Sequence, residues 1–327
     1  MILSRSPVRL SLGGGGTDLA SYYEKYGGFL MAATINKYVY LMINKRFQDD
    51  IRLSYSKTEI VDNTDSIEHN IFRETLKYLS IKKHIELVSM ADIPSQCGLG
   101  TSSSFTVALL NGLYTYKKEY KNIEELAETA CHIEINILKE PIGKQDQYAS
   151  AFGGFNCYWF NKDGSVQIEP VSIEEERLFQ LQNNILLFYM GKERKASSIL
   201  EMQNKKSKEN DSKTIDRLHK IKELGFLTKK VFETGEIDKF GEILHEHWIT
   251  KKGLSDKITD PFIDEAYDMA IRNGAIGGKI VGAGGGGFLL LYCPIQKTKL
   301  VRAMEKINLY PMWFRFEPEG VKTIFHN

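Results

Sequence analysis

The segment Pro94-Ser95-Gln96-Cys97-Gly98-Leu99-Gly100-Thr101-Ser102-Ser103-Ser104 constrains this chain more than any other. It follows the β-rich run Ile85 to Met90 and precedes Phe105 to Tyr116, whose apolar spacing predicts a helix opening within Thr101 to Ser104. A strand must therefore pass through glycines into a helix start, where unpaired amides and the helix dipole favour an anion. By composition alone a Gly/Ser cluster is an ordinary loop. Here the successive hydroxyls exceed what one N-cap needs, and a serine hydroxyl is a usual extra ligand for phosphate-bound magnesium. The pattern is not G-x-x-x-x-G-K-[ST], because no lysine follows the second glycine.

At 327 residues the chain is long enough for two domains. The 43 basic and 42 acidic residues leave a formal charge of +1, which argues against nucleic acid as a partner. Cys97, Cys131, Cys157 and Cys293 are far apart and form no C-x-x-C pair, so neither a zinc knuckle nor a disulfide framework is expected. The start of the chain lacks the apolar core of a signal peptide. The longest apolar runs, such as Phe288 to Cys293, fall far short of the roughly 20 residues of a membrane span. A cytoplasmic protein without membrane contact is expected, and a homodimer is left open.

Strands are expected over Val8 to Leu12, Phe29 to Ile35, Tyr38 to Ile43 and Asp50 to Tyr55, and helices over Glu68 to Leu79 and Ile123 to Lys139. The polar, turn-prone stretch between Asn161 and Asn183 is read as the domain boundary, and a mobile loop is expected near Lys205 to Lys213. The apolar run Ile185 to Met190 follows, and helices over Ile215 to Thr234, Asp238 to Thr250 and Pro261 to Arg272, with strands at Lys279 to Ala283, Phe288 to Tyr292 and Met312 to Phe316, predict a helix-covered antiparallel sheet.

Two carboxylates stand out. Glu134 falls within the apolar stripe Leu126, Ala127, Ala130, Ile133 and Ile137, and Asp146 follows the helix-ending Pro141. They suit phosphoryl transfer, which needs a metal ligand and a group that accepts the proton of the attacking hydroxyl. Their bland readings are a surface ion pair for Glu134 and a helix cap near Gln147 for Asp146. The run Gly13-Gly14-Gly15-Gly16-Thr17-Asp18 fails as a dinucleotide fingerprint, because G-x-G-x-x-G places its last glycine at Asp18. Gly282 to Gly287, between two strands, is either a hairpin turn or something that needs more glycine than a turn does. His245 and His247 would point in nearly opposite directions on a helix, so they do not make a metal pair.

Taken together, Ser6 through Asp18, Pro94 through Ser104 and Lys279 through Phe288 resemble the three motifs of the GHMP small-molecule kinases, in the same order along the whole chain. Within that family, Gly13 to Asp18, Arg52-Leu53-Ser54-Tyr55-Ser56-Lys57-Thr58-Glu59 and Glu140 to Tyr148 look most like the kinases of D-glycero-α-D-manno-heptose 7-phosphate. The resemblance implies an α+β fold, with an S5-like N-terminal domain over residues 1–178, a ferredoxin-like C-terminal domain over residues 179–327 and ATP between them.

Carried over by position, Pro94, Gly98, Leu99, Gly100, Thr101, Ser102, Ser103 and Ser104 would hold ATP, with Thr101 in place of a more frequent serine. Ser102 and Glu134 would bind Mg2+, Asp146 would be the base on the anomeric hydroxyl, and Arg9 would stand beside it. Asp18 would hold sugar hydroxyls, with Gly14, Gly15, Gly16, Thr17, Gly284 and Gly285 also at the substrate. A dianionic sugar phosphate needs basic partners, and Lys192, Arg194 and Lys195 are the candidates, weighed against a solvated charge run. The implied product is a 1,7-bisphosphate on the way to nucleotide-activated heptose for surface glycans. A kinase of the same fold for fucose or galactose, and a non-catalytic sugar sensor, are the alternatives.

Overall fold

The computed structural model describes residues 1–191 and 197–327. β1 (Ile2–Gly13), α1 (Ala20–Tyr26) and β2 (Gly28–Lys45) open the fold, with β1 and β2 as the antiparallel spine of the first sheet. The two strands expected over Phe29 to Ile35 and Tyr38 to Ile43 are one strand, and Val8 to Leu12 is the inner part of a longer one. The register shifts between Pro7 and Val8, opposite Asn36 and Lys37. Pro7 has no N–H to give to a ladder, so the irregularity falls where a donor is missing anyway.

β3 (Ile51–Ser54) and β4 (Thr58–Val61) form a hairpin, α2 (Asn70–Tyr78) follows, and β5 (Ile85–Ala91) lies parallel to β3 and antiparallel to β2. α3 (Thr101–Lys117), α4 (Ile123–Cys131), a π-helical turn (His132–Ile137) and α5 (Gln145–Phe152) come next. Asn122 and Glu125 start α4 with a reciprocal capping box. β6 (Phe155–Phe160) and β7 (Val166–Pro170) then form a hairpin on the first part of β2. That hairpin, turning at the polar Lys162 to Ser165, occupies much of the stretch read as a boundary.

α6 (Glu175–Asn184) leads into β8 (Ile185–Tyr189) of a second sheet. After it come α7 (Ser197–Lys208), α8 (Ser212–Thr234), α9 (Lys239–Lys252) and α10 (Pro261–Arg272), the last capped by Asp260 ahead of Pro261. β9 (Gly277–Ile280), β10 (Phe288–Tyr292), α11 (Lys297–Glu305) and β11 (Pro311–Met312) complete an antiparallel sheet of order β11-β8-β10-β9. β12 (Lys322–His326) returns to pair with β1. The loop expected at Lys205 to Lys213 shrinks to a short link between α7 and α8, because Ile199, Gln203 and Ser207 face inward and hold α7 down. The strand expected over Met312 to Phe316 pairs only at its start; Phe316 bridges to Ile35 of the first sheet.

The two sheets share an apolar core. Val8, Leu10, Phe29 and Met31 pack with Leu187, Leu290, Phe232 and Phe240, so burial fixes the walls of the cleft relative to each other. Among the described residues no helix is long and apolar enough to cross a membrane.

Gly13 and Gly14 belong to this packing. A Cβ on Gly13 would stand 3.0 Å from the Cα of Gly225 in α8, and one on Gly14, at φ 80°, 2.2 Å from the Phe29 carbonyl oxygen. Gly164 has φ 86° with nothing within 4 Å. Gly14→Ala should therefore cost at least about 2 kcal/mol in urea melts, against about 1 kcal/mol for Gly164→Ala, which carries only the backbone strain. Equal losses would contradict the packing argument.

Candidate active site

A cavity of about 430 Å³ is lined by β1, the Gly-Ser loop, α5, α9 and the connection between β9 and β10. The loop enters α3 through Gly100, at φ 77°, and no side chain caps the first-turn amides. Those amides point their donors toward whatever occupies the helix start. Gly98, at φ 84°, lies against the second sheet: a Cβ there would be 2.4 Å from the Val281 carbonyl oxygen, and one on Gly287 2.1 Å from that of Cys97. The glycines of Gly282 to Gly287 thus serve a turn and also a backbone-to-backbone contact that supports the loop.

Ser102, in the first turn of α3, donates to Glu134 Oε1 at 3.0 Å, and Gln147 donates to Oε2 at 2.6 Å. The helix expected to run from Ile123 to Lys139 stops being α-helical at Cys131. Its continuation is the wider π turn, in which Glu134 is 1% exposed while Ile137, of the same apolar stripe, is exposed. Every group bonded to Glu134 is neutral, so burial raises its pKa to about 7, against the pull of the bonds from Ser103, Gln147 and Ser102. A buried carboxylate beside a hydroxyl at an anion-binding helix start is a hard-oxygen donor set that suits Mg2+, which completes its shell with water and phosphate oxygens.

Asp146 lies in the first turn of α5. Arg9 Nε and Nη2 both reach Asp146 Oδ1, at 2.7 and 2.5 Å, and Arg9 Nη1 donates to the Gly98 carbonyl at 2.6 Å. Asp146 Oδ2 has no hydrogen-bond partner among the described residues and faces Gly100, where a Cβ would come within 3.1 Å of it. Asp18 accepts from the amides of Gly16, at 3.0 Å, and Gln145, at 3.2 Å. Burial, and then the charge of Asp146, raise the pKa of Asp18.

Of the residues singled out in the sequence, Arg9, Gly15, Gly16, Asp18, Gly98, Gly100, Thr101, Ser102, Ser103, Glu134, Asp146 and Gly284 line this one cavity. Neither bland reading describes the carboxylates: among the described residues Glu134 makes no ion pair, and Asp146 makes no cap. Pro94, Leu99, Ser104, Gly14, Thr17 and Gly285 do not line it. Ser104 is spent on the Pro7 and Gly100 carbonyls, Thr17 on those of Gly14 and Phe29, and Gly285 donates its amide to Ile258. Arg52 to Glu59 form the β3–β4 hairpin away from the cavity. Lys192, Arg194 and Lys195 lie outside the described residues.

The sequence reading missed Ser11, Gln145, Gln203, Lys251 and Lys279, which also line the cavity. Lys279 begins the third glycine motif and could have been noted for that; Lys251 is indistinguishable by pattern from its neighbour Lys252.

An anion site at the start of α3, oxygen donors for a cation at Ser102 and Glu134, and a carboxylate at Asp146 would together meet the requirements of a kinase acting on a hydroxyl. Residues 66–154 match the GHMP kinases N terminal domain, and residues 228–308 the GHMP kinases C terminal domain. The chain is 31% identical, over 98% of both sequences, to D-glycero-alpha-D-manno-heptose 7-phosphate kinase of Campylobacter jejuni. It superposes with a TM-score of 0.83 on a D-glycero-D-manno-heptose 1-phosphate kinase from Bacteriodes thetaiotaomicron, 27% identical with 100% of both chains covered. Galactokinase of Lactococcus lactis in complex with galactose, 19% identical and covering 99% of this chain and 95% of its own, has the same fold at a TM-score of 0.76. The chain belongs to the GHMP kinases. It is an ATP-dependent kinase of that family.

The folded pKa of Glu134 lies above its ordinary 4.5. Its contribution to stability is therefore full below about pH 4.5 and is lost as pH rises through about 7, by on the order of 3 kcal/mol. In nucleotide-free protein with chelator present, Glu134→Gln should raise the melting temperature at pH 8.5 and change it little at pH 5. An equal shift at both values would contradict a buried, uncompensated carboxylate.

Proposed function

We propose that this GHMP kinase, an ATP-dependent sugar-phosphate kinase, transfers the γ-phosphate of ATP to O1 of D-glycero-α-D-manno-heptose 7-phosphate. The products are ADP and the 1,7-bisphosphate, made in the cytoplasm where ATP is supplied. The observation that carries the reading is Asp146. Among the described residues its Oδ2 has no hydrogen-bond partner; it faces the loop at Gly100, and Asp146 shares a cavity with Gly15, Gly16 and Asp18. The choice of sugar rests on similarity to the Campylobacter jejuni kinase over 98% of both sequences.

In this reading the first-turn amides of α3 bind phosphate oxygens, and Asp18, held by two amides, orients sugar hydroxyls. Oδ2 of Asp146 takes the proton of the attacking O1, while Arg9 holds Oδ1 in place. Magnesium held by Ser102 and Glu134 would neutralise charge on the phosphates.

Asp146→Asn is expected to lower kcat by ~10²–10⁴-fold while ADP affinity stays the same; full turnover by the variant in a coupled ADP assay removes the base assignment. In a panel of acceptors, the heptose 7-phosphate should have the highest kcat/KM. A higher value for fucose or galactose would replace the substrate and keep the reaction class.

A further inference from the structure

Lys251 in α9 and Lys279 in β9 are both buried, and both line the cavity with Arg9. Among the described residues their ammonium groups bond only to backbone carbonyls. Lys251 Nζ donates to Ile280 at 3.1 Å and to Gly282, and Lys279 Nζ donates to Leu12 at 3.2 Å. Among the described residues neither forms an ion pair, and the neighbouring charges acting on them are themselves cations: Arg9 on both, and Lys251 on Lys279. His247, one turn before Lys251, reaches the same cavity, buried and with neither ring nitrogen bonded. Buried cations without a counter-charge cost stability, and Asp146, engaged by Arg9, is too little to balance them. Burial and Arg9 accordingly bring the pKa of Lys251 down to about 7, and that of Lys279 falls well below its ordinary value. An anion is what the cluster lacks.

Its place says which one. Arg9 bonds to Gly98 of the loop; Lys251 bonds to Gly282, whose Cβ, if it had one, would be 2.7 Å from Gly98; Lys279 bonds to Leu12, at the head of the Gly13 to Asp18 segment. The three cations stand where the donor loop, the acceptor segment and Asp146 meet. We propose that Lys251 and Lys279, with Arg9, bind the phosphoryl group as it passes from ATP to the acceptor, balancing the charge on its non-bridging oxygens. The bond from phosphorus to the oxygen of ADP breaks, the bond to the sugar oxygen forms, and the proton goes to Asp146. Both lysines leave the reaction as they entered it. The proposal rests on the kinase reading above. A phosphate monoester carried by the acceptor itself would present the same chemistry, and the experiment separates the two.

Lys251→Met and Lys279→Met are made in the full chain, with Lys251→Gln and Lys279→Gln as replacements should a Met variant not fold. Each is assayed with the heptose 7-phosphate and with the same heptose lacking phosphate. Each is also titrated with ADP alone and with ADP plus aluminium fluoride, which mimics the group in flight. The expected result is a kcat lowered by about 10²–10³-fold with either acceptor, acceptor KM within about threefold, ADP affinity unchanged, and loss of the extra affinity that fluoride confers on the wild type. Unchanged kcat, or a raised KM confined to the phosphorylated acceptor, overturns the proposal; the second result assigns the cluster to the acceptor's own phosphate. If the wild type turns over neither sugar, the substrate reading fails, and the fluoride titration still decides the role of the lysines.

Discussion

The guanidinium of Arg9 ties the two sides of the site together. It holds the Gly98 carbonyl in the loop with one nitrogen and Asp146 at the start of α5 with two others, while its own amide donates to the Leu99 carbonyl at 3.0 Å. Because Arg9 belongs to β1, the spine of the first sheet, the distance between loop and carboxylate is set by the most extensively paired strand edge of the fold. A lysine could carry the charge but not this fork, which needs several donors at fixed angles. Both contacts on the carboxylate fall on Oδ1, so the same interaction that fixes the group leaves Oδ2 free to react.

The second sheet acts on the site through backbone contacts. Gly98, Gly282 and Gly287 let two chain segments lie closer than any side chain permits, and the shared core of Val8, Leu10, Leu290 and Phe240 keeps that approach permanent. Lys251 and Lys279 enter the cleft from this side. With His247 they are the polar side chains of a wall otherwise made of glycine and aliphatic residues.

Much of this was legible in the sequence, for physical reasons that vary by element. The loop from Pro94 to Ser104 could be placed because glycine, proline and hydroxyl residues each restrict the backbone in known ways, and α3 does start at Thr101. Glu134 could be noticed because a carboxylate breaks an apolar stripe. That Ile137 of the same stripe would come out to solvent could not, since the π turn leaves no mark in residue spacing. β2 reads as two strands because Asn36 and Lys37 interrupt its apolar run, yet its ladder to β1 continues past them. The hairpin of β6 and β7 was lost to its own polar turn. Lys251 was invisible for a further reason: a lysine in a helix usually projects to solvent, and only the tertiary fold reveals which ones are enclosed.

The position at which the phosphate arrives tests the site most directly. Phosphorus NMR of the product formed from ATP and D-glycero-α-D-manno-heptose 7-phosphate should give a second sugar phosphate resonance, coupled to the anomeric proton, beside the unchanged signal of the 7-phosphate. A new resonance coupled to any other sugar proton, or ADP released with no new sugar phosphate, would contradict the placement of Asp146 beside the anomeric hydroxyl.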